Sequence, residues 1–127
     1  MTERRAQVSI AVLTNDIKSA RCIAEDILKS CLDNGCYTDV YPFDESGALE
    51  NEMEKRQFSV LVLQISVPDE LERLRRLKND NEDLRFVVLT ESPEIAVESY
   101  TLPADFCTHP TPSQEDIKRI VSLCFST

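Results

Sequence analysis

Val8 to Leu13 (VSIAVL) is an almost unbroken apolar run of strand length, the pattern of a strand covered on both faces. From there the period changes. Ile17, Ala20, Ile23, Ala24, Ile27, Leu28 and Cys31 recur at three- and four-residue spacing and make one apolar helical stripe. Asn15 or Asp16 is placed to cap that helix, and Asn34-Gly35 supplies its stop, because glycine accepts the left-handed conformation that ends many helices. Tyr37 to Phe43 reads as a second strand, polar and interrupted by Pro42, which suits a sheet edge. A weaker helix follows over Gly47 to Arg56, with Leu49 and Met53 facing inward.

Phe58 to Ile65 (FSVLVLQI) is the most hydrophobic strand and predicts the middle of a sheet; Pro68 breaks it. Leu71, Leu74 and Leu77 mark a third helix, which carries Arg73, Arg75, Arg76 and Lys78 on its other positions. Leu84 to Thr90 is a fourth strand, and Ile95, Ala96 and Tyr100 predict a short helix after Pro93. Asp105 to Thr108 is a brief fifth strand ending at His109-Pro110. Ser113 with Asp116 resembles a capping box with Asp in place of Glu, and it opens a last helix with Ile117, Ile120, Val121 and Cys124 inside. Strand and helix alternate five times, and each crossover is long enough to hold a helix. The expected fold is therefore α/β, a parallel sheet with helices on both faces. No repeat, low-complexity tract or linker interrupts it, so residues 1–127 read as one domain.

Composition narrows the classes. Hydrophobic residues at 42% and charged residues at 29% describe a globular chain rather than a disordered one. Fourteen Lys and Arg against 23 Asp and Glu leave a net charge of −9. That balance argues against holding nucleic acid or an anionic membrane by bulk charge. The apolar run near the N-terminus is too short for a secretory signal, and no stretch approaches the roughly 20 apolar residues of a membrane span. Five cysteines (Cys22, Cys31, Cys36, Cys107 and Cys124), an odd number without a signal peptide, predict reduced thiols and a cytoplasmic location.

The run RFVVLTESPEIAVESYTLPADFCTHP, Arg85 to Pro110, resembles the second half of a two-component receiver domain. There the fourth strand ends in Thr or Ser, here Thr90. The fifth passes an Ala-Asp and an aromatic to Lys-Pro, here Ala104-Asp105-Phe106 and His109-Pro110. PEIAVESY is similar to what receivers of the LytTR class of transcription regulators show after that strand. Upstream, FSVLVLQISVP resembles the receiver pattern around the nucleophile, and SIAVLTND resembles the strand that ends in the family's acidic pair. These four pieces stand in order over essentially the whole chain. The resemblance implies the flavodoxin/CheY-like receiver fold: a doubly wound (βα)5 domain with a five-stranded parallel sheet in the order 2-1-3-4-5.

A working receiver gathers two Mg²⁺-binding carboxylates, an Asp nucleophile, a Thr or Ser and a Lys beyond the carboxyl ends of its strands. By the resemblance, Thr14 and Asn15 stand at the acidic pair with Asp16 beside them, Gln64 at the nucleophile and His109 at the Lys; Thr90 and Phe106 keep the switch positions. The glycine usual a few residues beyond Pro68 is also absent. An amide forms no acyl phosphate, so the resemblance implies a non-phosphorylatable pseudo-receiver, with no enzymatic activity, metal or cofactor. The replacements shed charge but keep hydrogen-bonding ability, and one neutral network of Gln64, Asn15, Thr14, Thr90 and His109 is expected. The implied role is signal transduction by protein interaction, within a bacterial transcription regulator. Its partner is a protein or an attached output domain, and homodimerisation is a further arrangement. The interaction face is expected at Ile95, Tyr100 and Phe106. No DNA-reading element fits in these residues, so direct contact with nucleic acid is not expected, nor with membrane. Ending where a receiver's last helix ends suits both an excised domain and a stand-alone adaptor.

Several residues admit two readings. His109 titrates near neutrality and suits pH sensing, or simply fills a vacated position. Asp16 suits weak cation binding, or helix capping. Cys31-x4-Cys36 lacks the spacing of a zinc site, and thiols on apolar helix faces are ordinary packing. The Arg73, Arg75, Arg76 and Lys78 strip suits an acidic partner, or a solvated face paired with Glu70 and Glu72. The rival functions are a ligand sensor at the Gln64 pocket, a thiol-redox sensor at Cys107, and a phosphoacceptor at an unaligned carboxylate such as Asp69.

Overall fold

The computed structural model describes residues 8–35, 38–101 and 104–124. Among them five strands alternate with five helices: β1 (Val8–Leu13), α1 (Ile17–Asp33), β2 (Thr38–Phe43), α2 (Ser46–Met53), β3 (Val60–Gln64), α3 (Asp69–Asp80), β4 (Arg85–Leu89), α4 (Pro93–Ser99), β5 (Phe106–Thr108) and α5 (Gln114–Cys124). The strands form one sheet in the order β2-β1-β3-β4-β5, and every adjacent pair is parallel. The expected doubly wound α/β architecture is therefore the observed one.

Alternation along the central strands divides the core into two layers. Val60 and Val62 of β3 face α1 and α5, with Ile10, Ile27, Ile117 and Ile120. Leu61 and Leu63 face the other way, onto Leu49, Leu71, Leu74, Phe86 and Ile95 beneath α2, α3 and α4. The polar strand β2, with Pro42, lies at an edge, and the apolar β3 lies in the middle. Strand ends run past the ladders in the sequence pattern: Phe58, Ile65, Leu84 and Ala104 are buried core residues without being strand residues. The predicted start of β2 at Tyr37 lies outside the described residues, as does Cys36.

Local chemistry sets the helix limits. Asp16, not Asn15, caps α1, through a hydrogen bond from the Ser19 N–H at 2.9 Å. Gly35 closes it with φ of 72°, and its N–H donates to the Leu32 carbonyl at 3.0 Å. Leu28 lies at the margin of the α1 stripe and is exposed. Helix α2 stops at Met53 rather than Arg56, whose guanidinium turns back onto Glu52 at 2.7 Å and covers the Tyr41 ring at 4.4 Å. Ser99 shares the inner face of α4 with Ile95, because its Oγ donates to the Ala96 carbonyl at 2.8 Å and so enters the core satisfied. Tyr100 caps the helix and points outward. The capping box expected at α5 is present in both directions: Asp116 N–H donates to Ser113 Oγ and Ser113 N–H to Asp116 Oδ2, each at 3.1 Å. No helix among the described residues is long and apolar enough to cross a membrane.

Candidate functional site

Because β1 and β3 are neighbours, their carboxyl ends bring Asn15 against Gln64. The Asn15 N–H donates to Gln64 Oε1 at 2.9 Å, and Asn15 Nδ2 reaches Ser66 Oγ at 3.4 Å. Thr14 is buried and donates its hydroxyl to the Asp16 carbonyl; its own N–H goes to Phe43 O at 3.1 Å, across to β2. On the next strand Thr90 is buried, and its Oγ1 accepts from the Ser92 N–H at 3.1 Å. Its N–H bonds the Thr108 carbonyl of β5 at 2.9 Å. His109 stands exposed beyond β5, with Nδ1 accepting from the Thr111 N–H at 3.3 Å and Nε2 lying 4.0 Å from Glu91.

The single network expected of these residues is thus three separate groups: Asn15 with Gln64 and Ser66, Thr14 with its own turn, and Thr90 with Ser92. His109 joins none of them. Each threonine hydroxyl finds a backbone partner two residues away, and such short-range bonds form at less entropic cost than long-range ones.

The carboxylates nearest the Gln64 end of the sheet are mostly committed. Asp16 receives the Ser19 N–H on one oxygen and the Ser19 hydroxyl on the other, both at 2.9 Å. These bonds to Ser19 hold its carboxyl below the usual value, so Asp16 acts as a helix cap. Glu70, expected to pair with the arginines of α3, instead accepts from the N–H groups of Ser66 at 2.9 Å and Val67 at 3.3 Å. Arg73 reaches Glu50 of α2 at 3.7 Å, and Arg75 pairs with Glu72 at 3.5 Å. Among the described residues no three His, Cys, Asp or Glu side chains are grouped to hold a metal.

Two cavities flank the Asn15–Gln64 pair. One, about 340 Å³, lies toward β4 and is lined by Ser66, Thr90 and Glu91 among others. The other, about 120 Å³, lies over Leu13, Leu49, Leu63 and Leu74 beneath α2 and α3.

The three residues expected at an interaction face differ in burial. Ile95 and Phe106 are buried, Ile95 against the core beneath α4 and Phe106 under the Arg119 guanidinium, which sits 4.0 Å from its ring centroid. Only Tyr100 of the three is exposed; Val97, one turn back on α4, is 72% exposed and went unnoticed in the sequence because a lone valine carries no surface signal. Ser66 and Glu70 were missed as site residues too: the bonds that bring Glu70 onto the turn come from the backbone N–H groups of Ser66 and Val67, which carry no side-chain signal in the sequence.

Burial raises the Cys107 thiol above its ordinary value, partly offset by a hydrogen bond with Ser99. Cys22 is exposed. Under native labelling with a thiol reagent near neutral pH, Cys22 is expected to react well before Cys107, as peptide mass mapping would show. Cys107 reacting first would revive the redox-sensor reading.

No protein-family model matches the sequence, and no curated protein matches it. Solved structures do match. The RcsB response regulator of Salmonella typhimurium superposes with a TM-score of 0.75 at 17% identity, over 93% of this chain and 59% of that one. The receiver domain of DrrB from Thermotoga maritima, activated with BeF3, gives 0.71 at 20% identity, over 91% and 96%. The orphan response regulator HP1043 of H. pylori gives 0.67 at 19%, over 95% and 99%. The chain has the receiver fold. Within that fold the Asn15–Gln64 pair, Thr90 and His109 all lie at the carboxyl end of the sheet, where doubly wound sheets place their functional groups.

Proposed function

We propose that this receiver-fold chain is a non-phosphorylatable pseudo-receiver, a non-enzymatic signal-transduction domain that works through protein contacts. The observation that carries the reading is the Gln64–Asn15 pair. The residue that closes β3 is an amide, and its oxygen is already taken by the Asn15 N–H at 2.9 Å. An aspartyl-phosphate intermediate needs a carboxylate nucleophile, and Mg²⁺ needs hard anionic oxygens. The commitment of Asp16 to Ser19, and of Glu70 to Ser66 and Val67, supports the same reading. So does a match, at 17% identity and a TM-score of 0.67, to a structure described as an atypical orphan response regulator with a phosphorylation-independent regulatory mechanism.

In the finer reading the domain is cytoplasmic and serves a bacterial transcription regulator. A LytTR-type output is suggested only by the resemblance of PEIAVESY. Val97 and Tyr100, exposed and three residues apart on α4, are the side chains proposed to meet a protein partner, an output domain or a second copy. Incubation with acetyl phosphate and Mg²⁺, followed by intact-mass measurement, tests the core of the proposal. The chain is expected to keep its mass. A stoichiometric phosphoryl adduct, on Asp69, Glu91 or any other carboxylate, would overturn it.

A further inference from the structure

The cleft beside Gln64 holds about 340 Å³, which falls within the range of small-molecule sites. Three side chains lining it have acceptor oxygens engaged by neighbours: Gln64 Oε1 by the Asn15 N–H at 2.9 Å, Thr90 Oγ1 by the Ser92 N–H at 3.1 Å, and Ser66 Oγ by Asn15 Nδ2 at 3.4 Å. What they leave over is donors. The Gln64 Nε2 hydrogens and the hydroxyl hydrogens of Thr90 and Ser66 meet no acceptor among the described residues. Thr90 is the most enclosed of the three, only 8% exposed as a residue, so its hydroxyl has the least access to alternative acceptors. Ser92 adds nothing to this set, since its hydroxyl is used up by the Ile95 N–H and Glu94.

The lining also carries two side-chain acceptors outside this set, Asn15 Oδ1 and the exposed Glu91 carboxylate. No Lys or Arg lines this cleft among the described residues. Donors without a fixed cation, beside a carboxylate and on a chain of net charge −9, disfavour an anion. They suit a neutral group that presents a carbonyl oxygen and an N–H side by side.

We propose that this cleft binds a small neutral molecule through a cyclic amide edge, of lactam or imide type. Its carbonyl oxygen accepts from Gln64 Nε2 and the Thr90 hydroxyl, and its N–H donates to Asn15 Oδ1 or Glu91. The inference rests on the reading of the site as one that takes no phosphoryl group, and it adds the chemistry of what the site takes instead.

The probe is uracil, which carries two such edges, titrated into the ¹⁵N-labelled chain; acetate and inorganic phosphate serve as anionic comparisons. Uracil is expected to shift the Gln64 side-chain amide and the Ser66 and Thr90 backbone amides saturably, and the two anions to leave them in place. Gln64→Glu exchanges Nε2 for an oxygen while keeping the acceptor that holds Asn15. It is expected to weaken uracil binding by about tenfold or more, with the rest of the spectrum unchanged. The proposal falls if uracil gives no saturable shift, if the Glu variant binds it equally well, or if acetate or phosphate binds better. A chain that takes no phosphoryl group and also ignores uracil sinks this inference alone, whereas phosphorylation by acetyl phosphate sinks the reading beneath it.

Discussion

Phe86→Ala is expected to remove about 3–5 kcal/mol of stability, the usual cost of deleting a fully buried aromatic side chain. A domain holds only about 5–15 kcal/mol in total, so the variant should lose a large fraction of its stability. Phe86 has no exposed surface and stands opposite Leu61 in the β3–β4 ladder, so its ring fills the layer beneath α3 and α4. The backbone around it is pinned: the Phe86 N–H donates to Asp105 Oδ2, and the Asp105 N–H donates to the Phe86 carbonyl, both at 2.9 Å. A sheet held in this way cannot collapse into the vacated space, which places the cost toward the upper end. Urea denaturation of the variant beside Tyr100→Ala checks the argument. The exposed tyrosine should change stability by no more than about 0.5 kcal/mol; a Phe86 loss of similar size would mean that this layer is not close-packed.

The second large effect is expected at Asp116. Its Oδ2 accepts from the Thr108 hydroxyl at 2.7 Å and from the Ser113 N–H at 3.1 Å, while its own N–H donates to Ser113 Oγ. One carboxylate therefore ties the end of β5 to the first turn of α5. Asp116→Ala is expected to cost about 1–2 kcal/mol, as for the loss of a strong helix cap. The hydrogen bond from Thr108, then those from the Ser113 backbone and side chain and the charge of Arg119, lower the carboxyl below its ordinary value of 3.8, against a partial opposing effect of burial. A folded-state pKa below the unfolded one gives stability that is fully present above the unfolded value and is lost as pH falls through the folded value. The difference between wild type and Asp116→Ala should therefore hold from neutral pH down toward 3.8 and then narrow. Denaturation series at several pH values would show this, and a difference that persisted undiminished in strong acid would refute the assignment.

Elements whose signal is their own period were legible in the sequence. The nearly unbroken apolar run of β1, the stripe of α1 and the box at Ser113 and Asp116 each fall where the pattern puts them. The sheet order was implied by resemblance and is the order observed. The site was less legible, because its hydrogen bonds join residues far apart in the chain: Asn15 and Gln64 are 49 positions apart, and nothing local in either names the other. Which residues around α4 face outward was hard to read for a similar reason. A short helix such as α4 offers too few positions for its period to say which side is buried; Ile95 and Ser99 face the core, and Tyr100 is exposed.

Glu70 has a consequence for the turn between β3 and α3. Two successive N–H groups there, of Ser66 and Val67, converge on its carboxylate, in the manner of a small anion nest. The nest is occupied by a resident oxyanion belonging to the same chain. Any oxyanion arriving from solvent competes with a tethered one, whose effective concentration is on the order of millimolar or above for so short a tether. The turn is in this sense self-inhibited, and Glu70→Ala, which removes the tethered oxygen, would lift the competition.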